Sequence, residues 1–265
     1  MAHPLHSARL KLAWATRHIN TLNSEIGLFV EAHAKRVVEK VDPKQTGGYL
    51  YEVEWPDTPA DWSLILGDIA HNLRSALDHV AWEVRKLAGP PPPDRLYFPI
   101  YVDPCSYRAE RHNWGFKPEH ERLFRQFQPY QRGNAADSHP LRLLNKLSNI
   151  DKHQVVHTAV LSLENLPAKP FRIVEEDPET GERKSSYGPP EYPAKEIEVR
   201  VTVGAFGSGY DGALEPEVYA KGDFPITVEI REPGTILHEQ RVLPLVRDCR
   251  TLVDDVIAVF FPIFG

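Results

Sequence analysis

The chain has 265 residues, 42% hydrophobic and 26% charged, with a net charge of −6. This is enough apolar surface to bury a core, which excludes a disordered chain, and the lack of a period-three glycine excludes collagen. No apolar run approaches the ~18 residues of a membrane span, and no cationic segment leads into an apolar one at the start, so a cytoplasmic protein with no membrane partner is expected.

Leu5, Ala8, Leu12, Ala15, Ile19, Leu22, Ile26 and Phe29 recur in steps of three and four. This heptad seam predicts one long helix seeking a helical partner at a shallow crossing angle. No proline falls between Leu5 and Val41, so the helix is expected to run that far and to end at Asp42-Pro43 and Gly47-Gly48. Residues 49–55 alternate loosely and predict a short strand.

A second helix is expected over 61–88, capped by Asp61 and stopped by Gly89 and four prolines. Leu66, Ile69, Leu73, Ala76, Leu77, Val80, Val84 and Leu87 form its buried stripe. The two seams predict that the first and second helices pack as antiparallel neighbours. Short helices follow near 104–111 and 118–127, then a helix from Pro140 with Leu141, Leu144, Leu147 and Ile150 inward. After residue 154 the period changes. Residues 155–163, 171–174, 197–203 and 226–230 are β-rich, with a hairpin or a disordered stretch at 175–193. Residues 243–261 read as a last helix, with Leu245, Cys249, Leu252, Val256 and Val259 at helical spacing.

The fold expected is therefore α+β. An antiparallel bundle of four to five helices occupies 1–153, a β-rich insertion 154–240, and a C-terminal helix over 241–265 returns to the bundle. The charge is uneven. Residues 107–153 carry nine Lys/Arg against five Asp/Glu, and residues 154–240 carry eight against sixteen. A basic middle beside an acidic segment could direct an anionic partner, or both could be ordinary solvated surface. Cys105 and Cys249 allow one disulfide but no framework, and read as reduced thiols.

Chemistry concentrates on the second helix. At about 100° per residue, His71, Asn72, Arg74, Ser75, Asp78 and His79 share one arc opposite the apolar stripe. Two imidazoles, a guanidinium, a carboxylate, an amide and a hydroxyl are not the Lys and Glu of a generic solvated face. They can move protons near neutral pH and hold a phosphate. The plainer reading is an i,i+4 ion pair between Arg74 and Asp78. On the helix after Pro140, Lys146, Asn149 and His153 share a face flanked by Asp151 and Lys152, which in an antiparallel bundle could approach that arc. The plainer reading is a cationic helix C-terminus. The chain contains no Walker A loop, paired Cys-x2-Cys, His-Glu-x-x-His or Gly-x-Ser-x-Gly, so no cofactor and no standard metal site is expected. The glycine-rich stretch 204–209 reads as a turn.

The segments GDIAHNLRSALDHVAWEV and LNKLSNIDKHQVV, with the FPI after the proline run, resemble an uncharacterised bacterial protein family of about this length. More distantly, Arg74-x4-His79 on a bundle helix resembles the HEPN superfamily, whose enzymes are often dimeric, metal-independent endoribonucleases with an Arg-x4-6-His motif. Ser75 stands where many of those enzymes carry Asn, Asp or His. The likeness covers the helical part. It implies RNA or nucleotide as partner, a homodimer through the bundle, and catalytic roles for Arg74 and His79. His79 would act as base on a ribose 2′-OH or as acid on the leaving oxygen, and Arg74 would hold the scissile phosphate. His71, Asn72, Asp78, Asn149, Lys152 and His153 would bind substrate or orient these two. The rival expectations are a non-catalytic binding or scaffold protein and, behind it, a metal hydrolase using His71, Asp78, Asp151 and His153.

Overall fold

A computed structural model describes residues 3–33, 39–41, 50–52, 57–89, 96–153, 159–162, 172–176, 183–187, 198–202, 218–221 and 227–265. The described chain is mostly helical. It divides into two compact units, one formed by residues 1–25, 58–160 and 228–265, the other by 26–57 and 161–227.

The first unit holds the helices, the first of them as far as residue 25. Helix α1 spans His6–His33, α2 Asp61–Lys86, α3 Pro104–Trp114, α4 Pro118–Gln126, α5 Pro140–His153 and α6 Val242–Phe260. Helices α2, α5 and α6 pack on one another in a bundle. The expected seam of α1 is buried from Leu5 to Ile26, and so are the α2 stripe from Leu66 to Val84 and Leu141, Leu144, Leu147 and Ile150 of α5. Sequence spacing places these side chains because each stripe is a local property of the 3.6-residue turn. In α6, Leu245, Cys249 and Val256 are buried as expected, Leu252 is half-buried and Val259 is exposed, while Val246, Val253, Ile257 and Phe260 widen the buried face of the helix, which packs on α2 and α5.

Bonds at three levels make α1 antiparallel to α6. The Arg9 guanidinium lies 4.0 Å over the Phe261 ring, Arg250 Nε donates to Thr16 Oγ1 at 3.5 Å, and Arg247 Nη2 donates to Asn23 Oδ1 at 2.7 Å. Helix α2 is reached from α1 through Lys11 Nζ, which donates to Asn72 Oδ1 at 3.3 Å.

Local chemistry sets the ends of the shorter helices. Asp103 caps α3, its carboxylate accepting from Ser106 N and Oγ at 2.7 Å each, and Gly115 closes it at φ 65°. Pro118 opens α4 with Glu119 and Glu121 in the first turn, where the helix dipole favours acids. A 3-10 segment, Pro129–Ser138, turns through Gly133 and leads into α5.

The expected first helix does not reach Val41. It ends at His33, and Glu39–Val41 forms strand β1, antiparallel to β2, Leu50–Glu52, with Val41 opposite Leu50. Helix propensity is a weak prior, and cross-strand pairing overrides it here.

The remaining strands are β3 Ala159–Ser162, β4 Arg172–Glu176, β5 Arg183–Tyr187, β6 Glu198–Thr202, β7 Val218–Lys221 and β8 Thr227–Ile230. Strands β3 and β8 pair. In the second unit the order is β5-β4-β6-β7, with β4 parallel to β6 and the other pairs antiparallel.

Candidate functional site

The polar arc of α2 is not one open face. Arg74 is only 8% exposed and Asn72 only 6%. His71 is exposed, and Ser75, Asp78 and His79 are half-buried. The expected arc divides because two distant segments cover it. Lys11 of α1 lies over Asn72, whose Nδ2 donates back to Asp68 O at 2.8 Å. The strap of residues 96–101 lies over Arg74 and Asp78.

The strap is held by its main chain. Phe98 N donates to Asp78 Oδ1 at 2.8 Å, and Phe98 O accepts from Arg74 Nη2 at 2.9 Å. The same Arg74 nitrogen meets Asp78 Oδ1 at 3.0 Å. One helical turn thus offers Phe98 the donor and acceptor that a neighbouring strand would offer. The Phe98 ring is buried against Phe124, 5.1 Å between centroids.

Gln128 completes the fastening from the other side. Its Oε1 accepts from Tyr101 N at 2.9 Å, and its Nε2 donates to Pro99 O at 2.8 Å and Phe124 O at 3.0 Å. It is fully buried. Sequence reasoning passed over it. A lone amide between Phe127 and Pro129 carries no periodic signal, and only its uncharged polar character in an apolar, proline-bounded stretch hinted at buried main-chain bonds.

Burial works against both charges of the Arg74–Asp78 pair. It lowers the Arg74 guanidinium below its usual range, with Asp78 opposing. It raises the Asp78 carboxyl, opposed by Arg74, then the Phe98 N–H, then Lys152 and His79. A guanidinium keeps its proton in proteins, so the pair stands as an ion pair. Arg74 Nη1 and His79 Nδ1 are buried with no hydrogen-bond partner.

Helix α5 meets α2 closely at Gly67. A Cβ there would overlap the Asp151 carboxylate. Asn149 and Lys152 are exposed on α5, and the Lys152 charge reaches Asp78. His153 ends α5, and its side chain lies outside the described residues. The structure therefore pairs Arg74 with Asp78, lets the charges of Lys152 and His79 reach that carboxylate, turns Asn72 to Lys11 and Asp68, and leaves His71 exposed. Among the described residues no three His, Cys, Asp or Glu side chains converge as metal ligands, and no helix is long and apolar enough to cross a membrane. No family model, curated protein or solved structure matches the chain.

Proposed function

We propose that this chain is a non-catalytic helical binding or scaffold protein, in which the Arg74–Asp78 pair fastens the strap to α2. The observation that supports it is the double bond to Phe98. Both members of the Arg74–Asp78 pair are engaged by one residue's main chain, and the guanidinium that would hold a phosphate lies beneath it. A β-rich insertion over 154–240 belongs to this reading, supported by the pairings of β4 with β5 and β6 and of β6 with β7. A cytoplasmic location belongs to it too.

A HEPN-like RNA-binding protein with metal-independent endoribonuclease activity is the second reading. It is favoured by the unpartnered Arg74 Nη1 and His79 Nδ1 and by the added positive charge of Lys152 beside Asp78. In it, displacement of the strap would free Arg74 for a phosphate, His79 would exchange the proton, and a second copy would complete the site.

Incubation of the wild-type protein with a labelled single-stranded RNA in chelator, beside melting curves of Arg74→Ala and His79→Ala, separates the two. The fastener reading expects intact RNA, an early melt for Arg74→Ala and a near wild-type melt for His79→Ala. RNA cleavage by the wild type, abolished in both variants without loss of folding, overturns it.

A further inference from the structure

We propose that the face formed by α3, α4 and the 3-10 segment binds single-stranded nucleic acid. This deepens the binding reading by naming a surface and a partner class; the surface shares Tyr101 with the strap and includes neither Arg74 nor Asp78.

Four aromatic rings form one cluster there. Tyr107 is buried at its centre, with Trp114 at 4.9 Å, Tyr130 at 5.5 Å and Tyr101 at 5.9 Å between centroids. The three outer rings are half-buried, so the cluster has apolar, planar rims at the surface. Helices α3 and α4 surround it with cations. The charges of Arg125 and Arg108 both reach the Tyr130 phenol, one from each helix. Arg108 and Arg122 are exposed and, with Lys117 and Arg132, make no ion pair among the described residues.

Of the acids of these elements, Asp103 caps α3, Glu110 takes a bond from Asn113 and Asp137 pairs with Arg142, while Glu121 pairs with Arg125 beside the cluster and Glu119 stands in the first turn of α4. Over residues 104–138, six Lys/Arg stand against four Asp/Glu in a chain that is acidic as a whole. A polyanion answers the charge, and unpaired bases answer the aromatic rims, since single-strand binding combines a cationic track with stacking platforms. A duplex hides its base faces, and an acidic peptide has none.

The test is fluorescence anisotropy of the full-length protein with labelled 15-nucleotide oligouridylate and oligothymidylate across a salt series. Saturable binding that weakens with salt is expected, because phosphate contacts release counterions. The double variant Arg108→Glu/Arg122→Glu should weaken it by about tenfold or more while melting like wild type, both residues being exposed. Tyr130→Leu should weaken it for the oligonucleotide with bases. No binding by the wild type overturns the proposal, as does unchanged affinity in the charge-reversed variant. Equal affinity for an abasic phosphodiester strand or for a duplex overturns it as well. None of these outcomes bears on the strap fastening, which melting curves read.

Discussion

His3 and His139 begin two helices with the same bond: each ring Nδ1 accepts the main-chain N–H of the leucine two residues on, Leu5 and Leu141, at 3.1 Å. Both stand in the sequence His-Pro-Leu, and both leucines are buried. The ring nitrogen does what a Ser or Asp oxygen does at other helix starts, and proline takes the first-turn position whose N–H would be orphaned. His139→Ala should therefore cost about 1 kcal/mol, and His139→Asn, which can still accept that bond, much less. Urea denaturation of the two variants checks this.

The cap at His139 makes stability fall with acid. Burial, helped by the Arg132 charge, lowers its pKa from 6.5 to about 4. The unfolded chain then takes up the proton first. Stability from this group is fully present above pH 6.5 and is lost as pH falls from there towards 4, where the folded ring also protonates and loses its acceptor. The difference in unfolding free energy between wild type and His139→Asn should shrink or reverse over that window. A constant difference from pH 7 to 4 would remove His139 as the cause.

Removal of Arg74 tests the strap. Arg74→Ala leaves the Asp78 carboxylate 22% exposed without its partner and takes a donor from the Phe98 carbonyl. Breaking a buried pair in this way costs about 3–5 kcal/mol. Gln128→Ala strands Tyr101 N and Pro99 O on the other side and should cost about 1–3 kcal/mol. Because both variants release one segment, their effects should not add. A double variant whose loss equals the sum of the two would show that the strap is not one unit.

Gly67 and Asp151 form a coupled pair. Alanine within a helix gains about 1 kcal/mol over glycine. At position 67 the new Cβ meets the Asp151 carboxylate, which must move. Gly67→Ala should gain nothing in the wild-type background and about 0.5–1 kcal/mol when Asp151 is alanine. A double-mutant cycle by thermal melting reads the coupling, and strict additivity would mean that α2 and α5 do not meet there.

Phe261 lies between His3, stacked at 3.7 Å and 9°, and the Arg9 guanidinium at 4.0 Å. Phe261→Leu keeps most of the apolar volume and loses the ring face, so a loss of about 0.5–1.5 kcal/mol is expected. Hydrogen exchange at residues 5–9 should quicken with it. Unchanged protection would place the hold on the start of α1 elsewhere.

The helical repeats of Leu5 to Ile26, Leu66 to Val84 and Leu141 to Ile150 were legible in the chain as written, because a buried stripe needs only the 3.6-residue period. The helix starts at Pro104, Pro118 and Pro140 were legible for the same kind of reason, proline fitting the first turn and little else in a helix. The helical wheel also placed Arg74, Asp78 and His79 on one arc. It could not say what lies over them, because a wheel records direction and not neighbours. Lys11, 61 residues before Asn72, and Phe98, 24 residues after Arg74, cover the arc only when the chain is folded. Gln128 is the extreme case, a residue without pattern whose whole role is to satisfy main-chain groups of a segment 27 to 29 residues away. Burial of a polar side chain depends on which distant segment needs its hydrogen bonds, so tertiary structure alone decided it.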